Sequence, residues 1–313
     1  MTRIAWPIFA ALAMLTAVSS VWSQNFPPWS KGGNNPASEP GFIFAVPDVD
    51  NVPDLQGNAE GAKLVLFIGG NQFFVLPQLI GAFEKQHPEL RGNIFYETLP
   101  PGILRKQMAS NNTLTLGNFT LHVEPDVYAA GKATVAEMVA HGELQDPVSY
   151  ASNDLIIMVG KSNPKQIRSL GDLANPALRL SMPNIEFEGV AKQIGDSLRK
   201  AGSEALFRTV YETKAQDGST FLTQIHHRQT PMRIMNGQSD AGVTWSSEVR
   251  FQEKIGNPIS GVAIPSEENT AATYAAALVR KAPHPKAARA WLSFLKSPEA
   301  QAIYKEYGFG PVP

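Results

Sequence analysis

The sequence predicts an α/β fold in which strands alternate with helices and the sheets are mainly parallel. Residues 64–68 form a continuous apolar run, which is typical of a strand buried on both faces. Apolar residues then recur at helical spacing immediately after this strand. The same order of strand, turn and helix continues along the chain and restarts after about residue 153, which predicts two similar lobes.

The first strand–turn–helix unit spans residues 63–91. Gly69 and Gly70 are expected to let the chain turn sharply after the strand, and Asn71 is expected to cap the helix that follows. The helical spacing of apolar residues begins at Phe73. The free N–H groups of this helix would point at the carboxyl edge of the sheet, where open α/β sheets bind ligands.

A second unit begins with a strand at residues 93–98, and the prolines of 99–102 start its helix. Because its turn also follows the carboxyl end of a strand, Thr98 and Glu97 are expected to face the same crevice as Asn71. Further strands are predicted at residues 125–130, 154–161, 178–181, 240–245, 262–265 and 273–279, with a hairpin at 114–123. Further helices are predicted at residues 132–141, 169–173, 190–201, 205–211, 286–295 and 298–307, and residues 220–235 are amphipathic.

The composition excludes several classes of protein. The 313 residues carry a net charge of -1 without a run of Lys and Arg, so neither nucleic acid nor an anionic membrane surface is an expected partner. Cysteine is absent, which removes disulfides, zinc–thiolate sites, iron–sulfur clusters and thiol nucleophiles. No cofactor is expected. No G-x-S-x-G, G-x-G-x-x-G, P-loop or H-E-x-x-H motif occurs, so catalysis is not expected either.

The N-terminal residues predict export from the cytoplasm. Residues 1–23 have the pattern of a signal peptide, with a positive charge at Arg3, an apolar stretch over 4–18 and an expected cleavage point before Gln24. The mature protein is therefore expected to be soluble and periplasmic. Residues 24–61 are rich in Pro, Gly, Asn and Asp and are expected to form an extended, partly disordered arm.

Five segments carry a more specific signal. They are NDLIIMVGKSNP at 153–164, SLGDLANPALRLSMPN at 169–184, the helix that ends in LRKAG at 198–202, MNGQSDAGVTW at 235–245 and, most specifically, AWLSFLKSPEAQAIYKEYGF at 290–309. Together with their order and spacing, these segments resemble the molybdate-binding-protein group of the type II periplasmic solute-binding proteins of ABC importers. The resemblance covers about residues 63–309 and not the N-terminal arm.

The resemblance implies two doubly wound α/β lobes joined by a hinge of two strands, with one ligand clamped between them. Lobe one would comprise residues 62–152 plus 275–313 and lobe two residues 153–274, with the crossings near 153–158 and 274–278. It also implies that a monomer delivers a small-molecule or anionic ligand to an ABC permease in the inner membrane.

The resemblance further implies which positions contact the ligand. The corresponding positions here are Asn71, Gln72, Thr98, the 185–189 turn, His227, Arg228 and Trp245. Trp245 replaces a tyrosine of the family, and tryptophan offers one N–H donor and no acceptor. The favoured ligand is a small polar solute, either an oxyanion such as molybdate or a small organic anion.

Charged residues near the crevice leave the character of the ligand open. In the family, the groups that surround the oxyanion are neutral hydroxyls and backbone N–H groups. Glu97, Glu186 and Glu188, if they faced the ligand here, would repel a dianion. Arg228 would attract an anion as a bidentate partner. Either the glutamates point to solvent or the ligand carries both kinds of group. Arg228→Ala is expected to lose anion affinity with little change in melting temperature.

Two alternatives stay open from the sequence. Glu97, His122 and Glu124 could hold a divalent metal or a metal chelate, since His122 and Glu124 share one face of a strand. His226 and His227 are adjacent, and in a helix they would not easily face one site. A receptor that presents its ligand to a sensor kinase, rather than to a permease, would have the same sequence pattern.

Overall fold

The computed structural model describes residues 42–45, 53–116, 119–186, 188–223 and 227–312. Within these residues, two β-sheets form the centres of two α/β lobes. None of the helices in the described segments is long and apolar enough to cross a membrane. The predicted signal peptide at 1–23 and most of the predicted arm lie outside the described residues.

The regular elements alternate along the chain much as the sequence predicts. The strands are Phe42–Ala45 (β1), Pro53–Gly57 (β2), Leu64–Ile68 (β3), Ile94–Glu97 (β4), Thr113–Leu116 (β5), Phe119–His122 (β6), Val127–Gly131 (β7), Leu144–Asn153 (β8), Leu155–Gly160 (β9), Leu180–Met182 (β10), Thr220–Leu222 (β11), Ala241–Trp245 (β12), Ile259–Ala263 (β13) and Ala272–Val279 (β14). The α-helices are Leu76–Gln86 (α1), Pro101–Ala109 (α2), Lys132–Ala140 (α3), Val190–Arg208 (α4), Lys214–Gln216 (α5), Gln229–Met235 (α6), Ser246–Lys254 (α7), Pro285–Phe294 (α8) and Pro298–Glu306 (α9). Short 3-10 helices lie at Gly70–Gln72, Pro88–Leu90 and Leu170–Ala174, and a π-helical turn lies at Thr209–Thr213.

The sheet of lobe one has the strand order β1-β2-β4-β3-β7-β14-β8. Strands β4, β3 and β7 are parallel, and antiparallel strands flank them on both sides. Side chains of β3 alternate between two apolar clusters, because Leu64, Leu66 and Ile68 pack on one face of the sheet and Val65 and Phe67 on the other. The strand is buried on both faces, as its apolar run predicts.

The sheet of lobe two has the strand order β11-β10-β12-β9-β13. Strand β10 pairs in parallel with β11 and β12, whereas β9 is antiparallel to β12 and β13. Parallel strands therefore occupy part of each sheet, and both sheets are mixed. The antiparallel strands β8, β9, β13 and β14 are those by which the chain leaves one lobe and enters the other.

The chain passes between the lobes at Asp154, between β8 and β9, and over residues 264–271, between β13 and β14. Asn269 ties the two crossings together: its Oδ1 accepts the Leu155 N–H at 3.0 Å, and its Nδ2 donates to the Leu155 carbonyl at 2.8 Å. Helices α8 and α9 then return to pack on lobe one, against β3, β14, β8 and α1.

Part of the segment interpreted as an arm belongs to the sheet of lobe one. Strand β2 pairs antiparallel with β4, with Leu55 opposite Glu97 and Gln56 opposite Tyr96. Asp54 and Leu55 are fully buried. Composition alone suggested an extended arm, but pairing with a neighbouring strand satisfies the backbone of this segment and orders it.

The turn after β3 differs from its prediction. Gly69 has φ -54° and ψ 136°, angles that any residue can adopt, so the turn does not require glycine there. Asn71 lies in a 3-10 turn and does not cap α1, which begins five residues later at Leu76. Residues 220–235 contain a short strand and a short helix, and the sequence reasoning did not identify β8 or α7.

Candidate functional site

A cleft of about 900 Å³ lies between the two lobes. Its walls follow the carboxyl ends of β3, β4 and β7 in lobe one and of β10 and β12 in lobe two. This is the position at which open α/β sheets bind ligands. Five residues named from the sequence line the cleft, namely Asn71, Glu186, Glu188, His227 and Trp245. Gln72, Thr98 and Arg228 lie behind its walls.

Asn71 and Gln72 point in different directions from the turn after β3. Asn71 lines the cleft, and its Nδ2 donates to the hydroxyl of Tyr274 at 2.5 Å. Gln72 is buried: its Nε2 donates to the Tyr150 hydroxyl at 2.5 Å, and its Oε1 accepts from Tyr304 at 3.1 Å. Gln72 therefore anchors the turn to the body of lobe one, and Asn71 is the side chain that the turn offers to the cleft.

Thr98 and Arg228 meet at Asp54, behind the wall of lobe one. Nη2 of Arg228 donates to Oδ1 of Asp54 at 2.6 Å, and both side chains are 0% exposed. Thr98 Oγ1 donates to the same oxygen at 3.2 Å. Burial raises the pKa of Asp54, and the neighbouring guanidinium acts in the opposite direction.

This buried ion pair joins the two lobes, because Asp54 lies on β2 and Arg228 immediately precedes α6. The guanidinium also lies 5.0 Å from the ring centre of Phe73, which follows β3. The sequence-based expectation for Arg228 was a bidentate contact with an anion in the cleft. In the structure its guanidinium instead binds a carboxylate of lobe one, so we do not include it among the proposed ligand contacts.

Glu188, His227 and Glu248 form a continuous chain of contacts at the wall of lobe two. Nδ1 of His227 lies 2.5 Å from Oε2 of Glu188, and Nε2 lies 2.7 Å from Oε1 of Glu248. Thr223 and Thr244 donate their hydroxyls to the other oxygens of Glu188 and Glu248 respectively. The backbone N–H of His227 adds a contact of 2.6 Å to Glu188.

The two carboxylates hold a proton on His227. Burial by itself would lower the pKa of His227, but Glu248 and Glu188 outweigh it and raise that pKa to about 10. At neutral pH the ring is therefore an imidazolium between two carboxylates. The proton on His227 offsets one of the two negative charges. Glu188 therefore repels an anion in the cleft less than an unpaired carboxylate would.

Glu188 also positions the turn that precedes α4. Its Oε1 accepts the backbone N–H of Asn184 at 3.1 Å, and Asn184 Oδ1 in turn accepts the N–H of Glu186 at 2.9 Å. The side chain of Glu186 is exposed at the mouth of the cleft. Both oxygens of Glu188 are occupied by protein donors, so its geometry favours a role in holding this turn in place.

Trp245 ends β12 and is 5% exposed at the cleft wall. Its ring meets that of Tyr274 edge to face, with ring centres 6.2 Å apart and an angle of 71° between the planes. Since Tyr274 lies on β14 and accepts from Asn71, the aromatic pair connects both lobes at the base of the cleft. His226 lies outside the described residues.

Three helices begin at the cleft without a side-chain cap. The first residues of α2 and α3 line it from lobe one, and those of α4 line it from lobe two. No side chain of the described segments caps these helices, and their first turns contain no acidic residue. The first N–H groups of a helix have no partner within it and favour negative charge. Pro101 removes one of them from α2, and in α4 the N–H groups of Ala191 and Lys192 donate to the backbone oxygens of Glu188 and Gly189 at 3.0 and 3.3 Å.

The sequence reasoning missed four residues that shape this region, namely Asp54, Arg105, Lys132 and Glu248. Lys132 was detectable, because it lies two residues after the third predicted strand and the rule that selected Asn71 also applies to it. Arg105 lies one turn into α2 and also lines the cleft. Glu248 lies on α7, which was not predicted, and Asp54 lies in the segment interpreted as an arm.

The alternative metal site from Glu97, His122 and Glu124 does not assemble. Across the described residues, no three His, Asp or Glu side chains come together as a metal site. Glu97 is fully buried and accepts from Gln107 at 3.0 Å, whereas His122 and Glu124 are exposed. Burial raises the pKa of Glu97 to about 8, so it is protonated at neutral pH and is a poor metal ligand.

Comparison with known proteins identifies the family. The chain is 21% identical over 283 residues to the molybdate-binding protein ModA of Mycobacterium bovis, covering 89% of this chain and 90% of the relative. It is also 21% identical over 231 residues to a putative ABC transporter substrate-binding lipoprotein, YvgL, of Bacillus subtilis, covering 72% of this chain and 78% of that protein.

Among solved structures, the sulfate-binding protein SubI of Mycobacterium tuberculosis matches with a TM-score of 0.66 at 18% identity, over 80% of this chain and 86% of SubI. This likeness confirms the predicted two-lobed fold class. The family model described as "Bacterial extracellular solute-binding protein" matches residues 64–310. The cleft between two lobes and this match over most of the chain lead to one conclusion: the protein belongs to the bacterial extracellular solute-binding family and resembles its molybdate-binding members.

Proposed function

We propose that this protein binds a small anionic solute in the cleft between its lobes and delivers it to an ABC permease. The observation that carries the proposal is the convergence of three uncapped helix N-termini, from α2, α3 and α4, on one cleft. Each N-terminus presents N–H donors and a partial positive charge. Because the donors come from both lobes, an anion bound there would favour the closed state.

Two other helices of the described residues differ from α2, α3 and α4 in their first turns. Helix α9 lies away from the cleft, and Ser297 caps it by accepting the Ala300 N–H at 3.2 Å, with Glu299 in its first turn. Helix α7 follows Trp245 at the cleft, but Glu248 lies in its first turn. Helices α1, α6 and α8 also lack a side-chain cap and an acidic first turn, so uncapped N-termini are not confined to the cleft. An external anion is supported as the partner of α2, α3 and α4 because these three helices begin at the same cleft.

The proposed contacts are the Asn71 side chain, the N-termini of the three helices, the turn around Ile185 and Glu186, and Trp245. Gln72, Thr98 and Arg228 are excluded because buried partners occupy them. Export to the periplasm, action as a monomer and transfer to an inner-membrane permease belong to the same proposal. Export and transfer to a permease are supported by the family and by the relative named as an ABC transporter substrate-binding lipoprotein. The relatives are solute-binding proteins, and we propose no catalysis.

Ala133→Asp tests the proposal at the second residue of α3. A carboxylate in this first turn interacts favourably with the helix, by ~0.3–1 kcal/mol, but occupies the place of the anion and repels it. We expect anion affinity to fall about tenfold or more, with an unchanged or slightly higher melting temperature. Titration calorimetry with oxyanions and organic anions would measure the affinity.

Ala133→Asn is the matched control, since it has the same size without the charge. It is expected to keep most of the affinity. Equal affinities of the Asp and Asn variants, or no anion binding by the unaltered protein, would contradict the proposed anion site.

A further inference from the structure

The size of the cleft exceeds what a single inorganic oxyanion fills. A tetrahedral oxyanion occupies the space of roughly three water molecules, about 90 Å³ at ~30 Å³ each. The cleft, which is open to solvent on one side, spans about 900 Å³, and this lies within the ~300–1,000 Å³ typical of sites for larger organic ligands. Helix N-termini at its wall would hold one anionic group and leave most of this volume for the rest of a ligand.

The walls of the cleft include apolar and aromatic surface that a bare oxyanion would not use. Ile185 lines it and is 50% exposed, and it is one of two large hydrophobic side chains that the described residues expose, the other being Val312. Trp245 and Tyr274, each 5% exposed, add a small aromatic surface to the same cleft. An exposed isoleucine at a binding site gains free energy when the carbon skeleton of a ligand covers it.

Two cationic side chains, Lys132 and Arg105, line the lobe-one wall of the cleft. Lys132 is the first residue of α3, is exposed and forms no ion pair with a described residue. A cation is unfavourable at a helix N-terminus, so Lys132 does not contribute to the stability of α3. Arg105 lines the cleft with a side chain that is 36% exposed and makes one surface contact of 3.2 Å with Glu137. Exposed pairs of this kind are weak and can exchange for a ligand.

We infer that the ligand is a small organic anion, with a carbon skeleton that carries a terminal phosphate or carboxylate groups, rather than an inorganic oxyanion. Lys132 and Arg105 bind its charged groups, and Ile185 and Trp245 cover its carbon skeleton. This inference rests on the proposed function, since it specifies the class of anion that the same cleft binds. Phosphate and carboxylate share the acceptor chemistry that the helix N-termini and the cations require.

The experiment compares two classes of probe on the purified protein. Molybdate, sulfate and inorganic phosphate form one class, and 3-phosphoglycerate, glycerol phosphate, succinate and citrate form the other. Thermal shift would rank them, and calorimetry would give the affinities. We expect at least one organic anion to bind about tenfold more tightly than each inorganic oxyanion. The phosphomonoester and carboxylate probes distinguish which terminal group the cleft prefers.

Two variants with matched controls test the residues. Lys132→Ala is expected to weaken the best organic anion about tenfold, whereas Lys106→Ala, which removes an exposed cation of α2 outside the cleft lining, leaves it unchanged. Ile185→Ser is expected to weaken it about fivefold, and Val312→Ser, at the other exposed hydrophobic residue, is expected to have no effect.

The outcomes separate this inference from the proposed function. Binding of molybdate or sulfate that is tighter than any organic probe, and indifferent to both variants, would overturn the inference and leave the anion site intact. Absence of binding by both classes would overturn the anion site and the inference together. Tight organic binding that neither Lys132→Ala nor Ile185→Ser alters would overturn the assignment of these residues.

Discussion

Arg228→Ala removes one partner of the buried ion pair that joins the two lobes. The Nη2–Oδ1 distance to Asp54 is 2.6 Å, and neither side chain is exposed to solvent. Removing one member of such a pair leaves the other buried without its counter-charge, which typically costs ~3–5 kcal/mol of unfolding free energy. Since burial raises the pKa of Asp54, protonation of this carboxyl would relieve part of the cost at acidic pH. The loss should therefore be larger at neutral than at acidic pH.

Urea denaturation followed by tryptophan fluorescence would measure this loss. A double-mutant cycle with Arg228→Met and Asp54→Leu separates the pair from the individual side chains. Each single variant is expected to lose several kcal/mol, and the double variant is expected to recover much of it, about 2 kcal/mol or more, because no charge is left buried.

Anion affinity provides the second measurement. If the pair acts by joining the lobes, Arg228→Met and Asp54→Leu should weaken anion binding to a similar extent, since neither residue lines the cleft. Strictly additive losses in the cycle would refute the coupling. Loss of anion affinity in Arg228→Ala alone, with unchanged stability, would restore the direct contact that the sequence suggested.

Three further predictions follow from individual residues. Glu97→Gln should gain stability relative to the unaltered protein between pH 5 and pH 8, by roughly 4 kcal/mol, because the pKa of Glu97 is raised from 4.5 to about 8 and ionising this buried carboxyl costs free energy. The pKa of His227 is raised from 6.5 to about 10, so its proton stabilises the fold fully below pH 6.5. This contribution is lost as the pH rises towards 10, and the ring should show no titration by NMR near neutral pH. Gly242→Ala should lower the melting temperature, because its Cβ would lie 2.2 Å from the backbone oxygen of Ser181, an overpacking that typically costs ~1–3 kcal/mol or more.

Each of these predictions has a control or a contrary result. A difference between Glu97→Gln and the unaltered protein that stays constant from pH 5 to pH 8 would contradict the buried-acid argument, and exposed Glu124→Gln should show no such trend. A titration of His227 at about pH 6.5 would show that the carboxylates do not hold its proton. Gly81→Ala is the control for Gly242, because a Cβ at Gly81 meets nothing within 4 Å; alanine should stabilise helix α1 by ~0.5–1 kcal/mol.

Sequence reasoning identified loops that line the cleft, but it did not predict which side chains those loops bury and which contacts they make. Asn71 follows a buried strand, and the rule that ligands bind at the carboxyl ends of strands selected it; the resemblance to the family selected Trp245, and both residues line the cleft. The same rule also selected Thr98, which the structure buries. A residue at the end of a strand can point into the cleft or away from it, and the sequence does not specify which.

Two elements were missed for physical reasons. Strand β8 has an irregular pattern of burial, with exposed residues in its middle, so its sequence lacks a clear alternation or apolar run. Helix α7 buries Glu248 and Gln252 along with its apolar residues, so polar residues interrupt the apolar stripe that identifies a helix. Neither polar residue would be expected in a core unless it had partners there.

The sequence by itself determined the α/β class, the alternation of strands and helices, the family and several of the loops that line the cleft. These features depend on local periodicity and on short motifs, which a single segment contains in full. Only the tertiary structure decided how the charged side chains at the site are paired. Asp54 and Arg228 are 174 residues apart in sequence, and Glu188 and His227 are 39 apart. Whether a carboxylate repels a ligand or neutralises a buried cation depends on which side chain folding brings beside it, and that is a property of the assembled lobes.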